Sequence, residues 1–437
     1  MEREIAAALD ALNGVEWVSR EKLETDWQKQ LHHLNLSAID AVLPKSIEQL
    51  SQIVTLAAQK HWTIIPCGNG SKLSWGGLAR VADLLISTQK LDRIVDHAVG
   101  DLTVTVEAGV KLADLQAALQ PSQQFLPLDP AYPENATLGG IVATADSGSW
   151  RHRYGGVRDL LLGLSFVRGD GKIAKAGGRV VKNVAGYDLM KLFSGSYGSL
   201  GIISQLTFRT YPVPETSGTI LLTGESEKIA SVSQSLLNSS LAPVRVALLS
   251  GGLLQALEVE GEMGLAVQFA SISESVREQQ DKFVSLGERG GLNALDDTER
   301  GALGDREIWP RVRDLTRMRD DTDEMIVKIG ILPSRSVALL QELDQISPRK
   351  SYGSIHVGSG LGYIRFRGEN RLETLKKLRE TCQLSKGFLT ILEASIAIKK
   401  EIEPWGYPGN ALALMKQIQQ KFDREEIFSS GRFVGGI

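Results

Sequence analysis

The sequence predicts an α+β fold in two domains, and three observations carry that prediction. Helical and strand-like stretches mix irregularly, without the steady strand-helix-strand rhythm of a doubly wound parallel sheet. The segment Tyr211-Pro212-Val213-Pro214-Glu215 breaks both helix and ladder and divides the 437 residues into two parts of ordinary domain size. Glycine is concentrated in the first part, where 14 of the 44 glycines lie between Gly139 and Gly201. Apolar strand-like runs at 160–167 and 200–208 interrupt that stretch, so it is not a linker. It reads as backbone folded closely around something.

The elements follow in order. Residues 1–34 form a helical extension. Pro44 and a capping box of Ser46 and Gln49 open an amphipathic helix through about residue 60, and a strand covers 62–66. Strands are expected over 83–87 and 102–107, the second alternating Leu, Val and Val with Thr, before a short helix over 111–120. With the two runs above, these make a first domain over 35–214. From 215 to 437, helices over 227–237, 275–286, 334–346 and 373–381 alternate with strands over 244–249, 265–270, 326–331 and 362–367. That pattern suits an antiparallel sheet covered by helices. After Pro404-Trp405-Gly406-Tyr407-Pro408-Gly409, a last helix over 411–422 and a tail, 429–437, close the sequence, and no internal repeat is apparent.

Composition sets limits on function. With 49 Lys plus Arg against 52 Asp plus Glu, the net charge of -3 offers no broad attraction for nucleic acid or an anionic membrane. No apolar run approaches the ~18 to 20 residues of a membrane span. The start Met1-Glu2-Arg3-Glu4 does not resemble a secretory signal, so a cytoplasmic location is expected. Cys67 and Cys382 are the only cysteines, which excludes a disulfide framework, a four-cysteine zinc site and a four-cysteine iron-sulfur cluster within this sequence.

Three glycine-rich elements remain. In the first, an apolar strand runs into Pro66-Cys67-Gly68-Asn69-Gly70-Ser71-Lys72-Leu73, a turn whose successive N–H groups can converge on phosphate oxygens. It is neither a dinucleotide fingerprint of the G-x-G-x-x-G type, because Leu73 takes the third glycine's place, nor a P-loop, because no glycine precedes Lys72. The second spans 136–148, where small residues let backbone and hydroxyls approach a flat or extended ligand; a tight helix-packing surface is the alternative. The third runs from Gly177-Gly178 through Lys182-Asn183-Val184-Ala185-Gly186-Tyr187-Asp188-Leu189 to Gly195-Ser196-Tyr197-Gly198 and Leu200-Gly201. Together they suit a large, extended, phosphate-containing cofactor.

At these residues the sequence resembles the FAD-binding domain of the vanillyl-alcohol oxidase flavoprotein superfamily, and more narrowly the E-subunit family of bacterial glycolate oxidase (glycolate dehydrogenase). Val157-Arg158-Asp159, Trp405-Gly406 and Gly431-Arg432 add to the narrower likeness. The resemblance implies a two-part FAD-binding domain, an α+β substrate or cap domain, and a tail returning to the flavin domain. It implies that Pro66 to Leu73 hold the pyrophosphate. Thr137, Gly139, Gly140, Thr144, Ser147, Gly148, Gly201 and Ile203 would line the rest of the cofactor, and Arg153, Tyr154 and Gly155 a further flavin-contacting turn. Members that bond FAD covalently carry histidine where Ser71 stands, so noncovalent FAD is expected unless Cys67 attacks the flavin. The tail lacks the family's usual proline, reading Ser429-Ser430-Gly431-Arg432.

The same resemblance implies oxidation of glycolate or D-lactate in a complex with a flavoprotein D subunit and an iron-sulfur F subunit, possible membrane association running through those partners. Such a reaction needs a base, a cation for the carboxylate, and a hydride acceptor. His356, expected to begin a strand near Arg365 and Arg367, is the candidate base, with Arg365 and Arg432 as candidate cations. Arg311, Arg313, Arg317 and Arg319 offer further cations, but a solvated helix face paired with Asp314, Asp320 and Asp321 explains that run as well. A non-catalytic assembly or electron-transfer subunit, with a structural or absent flavin, is the alternative.

Overall fold

The computed structural model describes residues 2–12, 14–23, 25–36, 39–179, 186–296, 305–319, 323–348, 350–368, 370–407 and 409–437. Lys182 to Ala185 of the third glycine element, and Asp320 and Asp321, lie outside them.

Near the amino terminus, Ser46 Oγ accepts the Gln49 N–H at 3.2 Å and opens the helix Ile47–Lys60, which buries Leu50, Ile53, Val54 and Ala57. That helix connects Asp40–Leu43 to Ile64–Cys67, and both strands lie parallel to Leu84–Ser87 between them. Glu16–Val18 joins the edge antiparallel. A five-stranded antiparallel sheet follows, in the order Ile94–Ala98, Thr103–Glu107, Ile202–Arg209, Leu161–Val167, Ile173–Gly177. The first part is therefore not wholly antiparallel: its smaller sheet has a parallel core, and it positions the glycine loop.

The segment expected to break the ladder does so at 213–215, which belong to no strand and separate two sheets. Tyr211 and Pro212 pair with Phe125 and Gln124, and Thr216 begins a nine-residue strand, Thr216–Gly224. From there an eight-stranded sheet is built in the order Asn293–Asp296, Thr216–Gly224, Met263–Ser271, Arg245–Ser250, Ser351–His356, Leu361–Arg367, Glu324–Gly330, Phe388–Glu393, with every neighbouring pair antiparallel. Although the sequence shows no repeat, the topology does. Each set of four strands, numbered along the chain, has the spatial order 4-1-3-2 with helices between strands 1 and 2 and between 3 and 4. The two sets meet at Ala247, Leu248 and Leu249 opposite His356, Ile355 and Ser354. His356 thus ends a strand rather than beginning one, and lies on the seam.

Strand alternation sorts the two faces. Val327, Ile329, Ile355, Ile364 and Phe366 join a core under the helices Ser226–Leu237, Ser273–Arg289, Ser336–Ile346 and Arg371–Leu384. On the opposite face, Ile326, Tyr363 and Leu392 pack against Trp75 and Ala131 from the first part of the chain. The last helix, Leu412–Phe422, leads into a tail that returns to the parallel sheet: Ile64 N–H donates to Ile427 O, and Ser429 N–H to Ile64 O. Phe428, 2% exposed, is a core residue beside Ile64 and Ile86. Phe428→Ala should therefore cost about 3–5 kcal/mol in urea unfolding, whereas truncating Leu384, 79% exposed, should change stability by no more than ~0.5 kcal/mol.

Candidate functional site

A cleft lies where the parallel sheet, the five-stranded sheet and the tail converge. The strands Ile64–Cys67 and Leu84–Ser87 deliver their carboxyl ends to it, as the loop 68–73 and as Thr88. Opposite stand the helix Leu138–Thr144 and the start of the strand Ile202–Arg209. Gly68 has to be glycine, because a Cβ there would stand 2.0 Å from Oγ1 of Thr137, whose hydroxyl caps that helix by accepting the Gly140 N–H at 3.3 Å. Gly70 takes φ +76°, a conformation that favours glycine, and Trp27 from the N-terminal extension lies against it. The N–H groups of Asn69, Gly70 and Ser71 have no protein acceptor among the described residues.

Arg432 enters the cleft from the tail. Its Nη2 donates to Leu73 O at 2.6 Å and to Trp75 O at 2.9 Å, while its Nε is buried with no partner. Burial pushes this guanidinium down to about 10. A glycine loop with free N–H groups and a buried, incompletely satisfied cation fits an anionic dinucleotide. Cys67 lines the same cleft, but burial pushes its thiol up to about 12. The thiolate is the nucleophilic form, so this thiol is not poised to attack a flavin, and the lining suits a cofactor held without a covalent bond.

A second, much smaller cavity lies between the first part of the chain and the eight-stranded sheet, lined by Asp129, Ser149, Trp309, Arg313, Arg317, Ser354, His356 and Tyr363 among others. Its arginines come from the helix Asp305–Arg317, and they do not form a solvated face. Arg317, 3% exposed, pairs with Asp129 at 3.4 Å and Asp146 at 3.1 Å, and stacks over Tyr363. Arg313 pairs with Asp129 at 3.4 Å as well as with Asp314. Asp146 in turn accepts from Lys72 Nζ at 3.2 Å. Since Lys72 lines the cofactor cleft and Arg317 the smaller cavity, one buried chain of ion pairs joins the two spaces. Burial works to raise the Asp129 carboxyl, but Arg317, Arg245 and Arg313 outweigh it and hold it below the usual carboxylate range.

His356 is 6% exposed, and its Nδ1 has no hydrogen-bond partner. Burial, with Arg151 and Arg317 nearby, lowers it to about 3, so the ring is neutral at working pH. Lys328 lies on the same sheet face as Ile326, opposite Tyr363 in register. Burial lowers its ammonium to about 8, with Asp146 opposing and Arg151, Arg317 and Lys72 adding to the effect.

Of the residues expected at the cofactor, Pro66 to Leu73, Thr137, Gly139, Gly140, Thr144, Gly201 and Ile203 line the cleft. Ser147, Gly148, Arg153, Tyr154 and Gly155 do not line it. Ser147 Oγ accepts the Val157 N–H, and Gly148 fits where a Cβ would meet Asp129 O at 2.0 Å. Tyr154 packs among Phe125, Trp150 and Tyr211, and Gly155 lies against Asp159. Thr88, Ala143, Tyr197, Gly198 and Ile202 also line the cleft. Thr88 had a readable signal in its position just past the apolar strand run 83–87. The three candidate catalytic residues are not brought together. His356 lines the smaller cavity and Arg432 the cofactor cleft, while Arg365 donates to Glu324 at 2.6 Å and to Met318 O at 2.9 Å.

Residues 40–177, which include the glycine loop that lines the cleft, match the family model described as FAD binding domain. Two relatives carry the comparison further. Glycolate oxidase subunit GlcD of Bacillus subtilis is 29% identical over 261 residues, 57% of this chain and 56% of that protein. Glycolate oxidase subunit GlcE of Escherichia coli is 42% identical over 125 residues, 28% of this chain and 36% of that protein. The chain thus spans from about a third to just over half of these relatives' length. The fold matches the crystal structure of p-cresol methylhydroxylase with substrate bound, at a TM-score of 0.75 and 14% identity, over 99% of this chain and 97% of that one. FAD is the cofactor that the cleft fits. Gly68→Val should displace Thr137 and weaken FAD binding by ~100-fold or more in a fluorescence titration, whereas Cys67→Ala should leave FAD bound and removable by acid precipitation. Tight FAD binding by Gly68→Val would show that this loop does not hold the cofactor.

Proposed function

We propose that this chain is an FAD-containing subunit of a glycolate oxidase or dehydrogenase assembly, oxidising glycolate or D-lactate to the 2-oxo acid. The observation that carries the reading is the smaller cavity: a neutral histidine with a free ring nitrogen and two arginines line it, and the ion-pair chain connects it to the cofactor cleft. The names of the two glycolate oxidase subunits support the same reaction class. When bound, FAD supplies the hydride acceptor. His356 Nδ1 is free to accept a hydrogen bond from the substrate hydroxyl, and Lys328 and Arg317 supply positive charge for the carboxylate. Residues 35–214 serve as the flavin domain, 215–437 as the substrate or cap domain, and 1–34 as an extension over the glycine loop. With two cysteines this sequence holds no four-cysteine cluster. Electrons then leave to a partner, for which a flavoprotein D subunit and an iron-sulfur F subunit are the expected components. No described helix is long and apolar enough to cross a membrane; the reading is a cytoplasmic protein, with any membrane contact made through partners.

One observation favours a second reading, an assembly or electron-transfer subunit that does not itself oxidise substrate. Arg313 and Arg317 are already matched by Asp129 and Asp146, so the cavity's arginines are internally neutralised. Anaerobic addition of glycolate or D-lactate separates the two: bleaching of the flavin in this chain alone supports catalysis here, and persistent colour until partners are added supports the second reading. If the first holds, His356→Leu should slow bleaching by ~10-fold, the loss of one hydrogen bond to the substrate. The substrate KM should rise as pH passes about 8, where Lys328 loses the charge that attracts the carboxylate, and Lys328→Gln should flatten that rise.

A further inference from the structure

Trp150 and His152 pin the short helix Arg151–Tyr154 from two sides. The guanidinium of Arg245, from the strand Arg245–Ser250, stacks 3.7 Å from the centre of the Trp150 ring, and the His152 ring lies beside Gly358, where a Cβ would stand 3.3 Å from it. Arg151 sits between them. Its Nη2 comes within 3.8 Å of the point that a Cβ on Gly156 would occupy, and Ser147 Oγ is 3.2 Å from the same point. Arg151 is thereby placed beside the residue that follows Asp146, the carboxylate that joins Lys72 to Arg317. The eight-stranded sheet closes the other side. Ser354, Tyr363 and Lys328 lie in register across three neighbouring strands, and alternation puts His356 on the same face. Arg151 is the charge that acts most strongly on His356, and it acts on Lys328 and Tyr363 as well.

The cations around this spot differ in how they are matched. Lys72 meets Asp146, Arg317 meets Asp146 and Asp129, and Arg313 meets Asp129. Asp159, the carboxylate beside Gly156, accepts the Gly156 N–H at 2.8 Å and pairs with Arg158 at 3.7 Å. Arg151 and Lys328 are partly buried and make no ion pair and no side-chain hydrogen bond among the described residues. Two like charges drawn out of water without a counter-charge repel each other and are costly to hold, and the same placement favours an anion that enters between them. We propose that Arg151 is a specificity-determining residue that binds the carboxylate of the substrate together with Lys328, in front of His356. The inference rests on the hydroxy-acid reading above, and it assigns selection for the anion to the unmatched cations rather than to Arg313 and Arg317. The ligand class follows: a small 2-hydroxy acid in its carboxylate form, with its hydroxyl left to the free His356 Nδ1, and not the corresponding neutral amide. Since Arg151 belongs to the first part of the chain and Lys328 to the eight-stranded sheet, one carboxylate bridges the two.

Oxalate carries a carboxylate at the size of glycolate but has no hydroxyl to oxidise, and oxamide is its neutral counterpart. Titration of each into the FAD-loaded full chain, followed in the flavin absorption spectrum, tests the proposal. The wild type should bind oxalate at least ~10-fold more tightly than oxamide, and Arg151→Met should weaken oxalate by ~10- to 100-fold with FAD affinity unchanged, the loss of a hydrogen bond from a charged donor. Arg151→Lys should recover most of that loss. In anaerobic bleaching, Arg151→Met should raise the glycolate KM by a similar factor with little change in the limiting rate, whereas a merely structural role would lower FAD affinity and thermal stability instead. Equal oxalate binding by Arg151→Met and the wild type would overturn the proposal. So would a wild type that does not distinguish oxalate from oxamide, a result that needs no variant. Loss of FAD rather than of oxalate from Arg151→Met would place the residue on the cofactor and refute the assignment. Oxalate held through Arg151 without bleaching by glycolate or D-lactate would uphold the carboxylate site and refute the catalytic reading alone.

Discussion

The arrangement depends most on the buried ion-pair chain Lys72–Asp146–Arg317–Asp129. Its members come from the glycine loop, the turn after the helix Leu138–Thr144, the end of the helix Asp305–Arg317, and the segment before the second glycine element. Charges taken out of water at this depth are not strong evidence of net stabilisation, but removing one partner typically costs about 3–5 kcal/mol because another is left uncompensated. Asp146, 0% exposed, meets both cations and also accepts the Ala131 N–H at 2.9 Å, so its position is fixed from three sides. The loop that fits the cofactor and the helix that walls the smaller cavity therefore share one carboxylate. Displacement of either strains the other.

Much of the fold was legible in the sequence because it is written in local patterns. The capping serine at Ser46, the apolar stripe of Ile47–Lys60, and the alternation in Thr103–Glu107 each specify an element from neighbouring residues. Thr216–Gly224 was missed because glycines at both Gly218 and Gly224 weaken its strand pattern, although Gly218 is needed where the side chain of Gln280 packs. Phe388–Glu393 is buried along most of its length and shows no alternation. The duplicated topology left no trace in the sequence, since a strand order is satisfied by many unrelated apolar runs.

The site was legible in proportion to how much of it is backbone. The loop from Pro66 to Leu73 and the helix opening at Thr137 announce themselves through glycines and small residues, and both line the cleft. The arginine run from Arg311 to Arg319 was ambiguous because nearby acidic residues make an exposed helix the simpler reading. Only the fold reveals that Arg317 meets Asp129 and Asp146, both far away in the sequence. Arg365 shows the converse: its location beside His356 in sequence suggested chemistry, yet Glu324 and a backbone carbonyl occupy it.

The duplicated sheet has one further implication. Its two sets of four strands differ in what they do with the face away from the shared helix layer. In the first copy, Ala247, Leu249 and Leu221 are covered by Ile308, Trp309 and Val312, so that face mainly anchors a helix. In the second copy the same face carries Lys328, His356 and Tyr363. Under the approximate twofold relation across the seam, His356 corresponds to Leu249, a plain core residue. That face of the first copy thus holds the helix Asp305–Arg317, while in the second copy it packs Ile326, Tyr363 and Leu392 against Trp75 and Ala131 and has His356 and Lys328 among these apolar contacts.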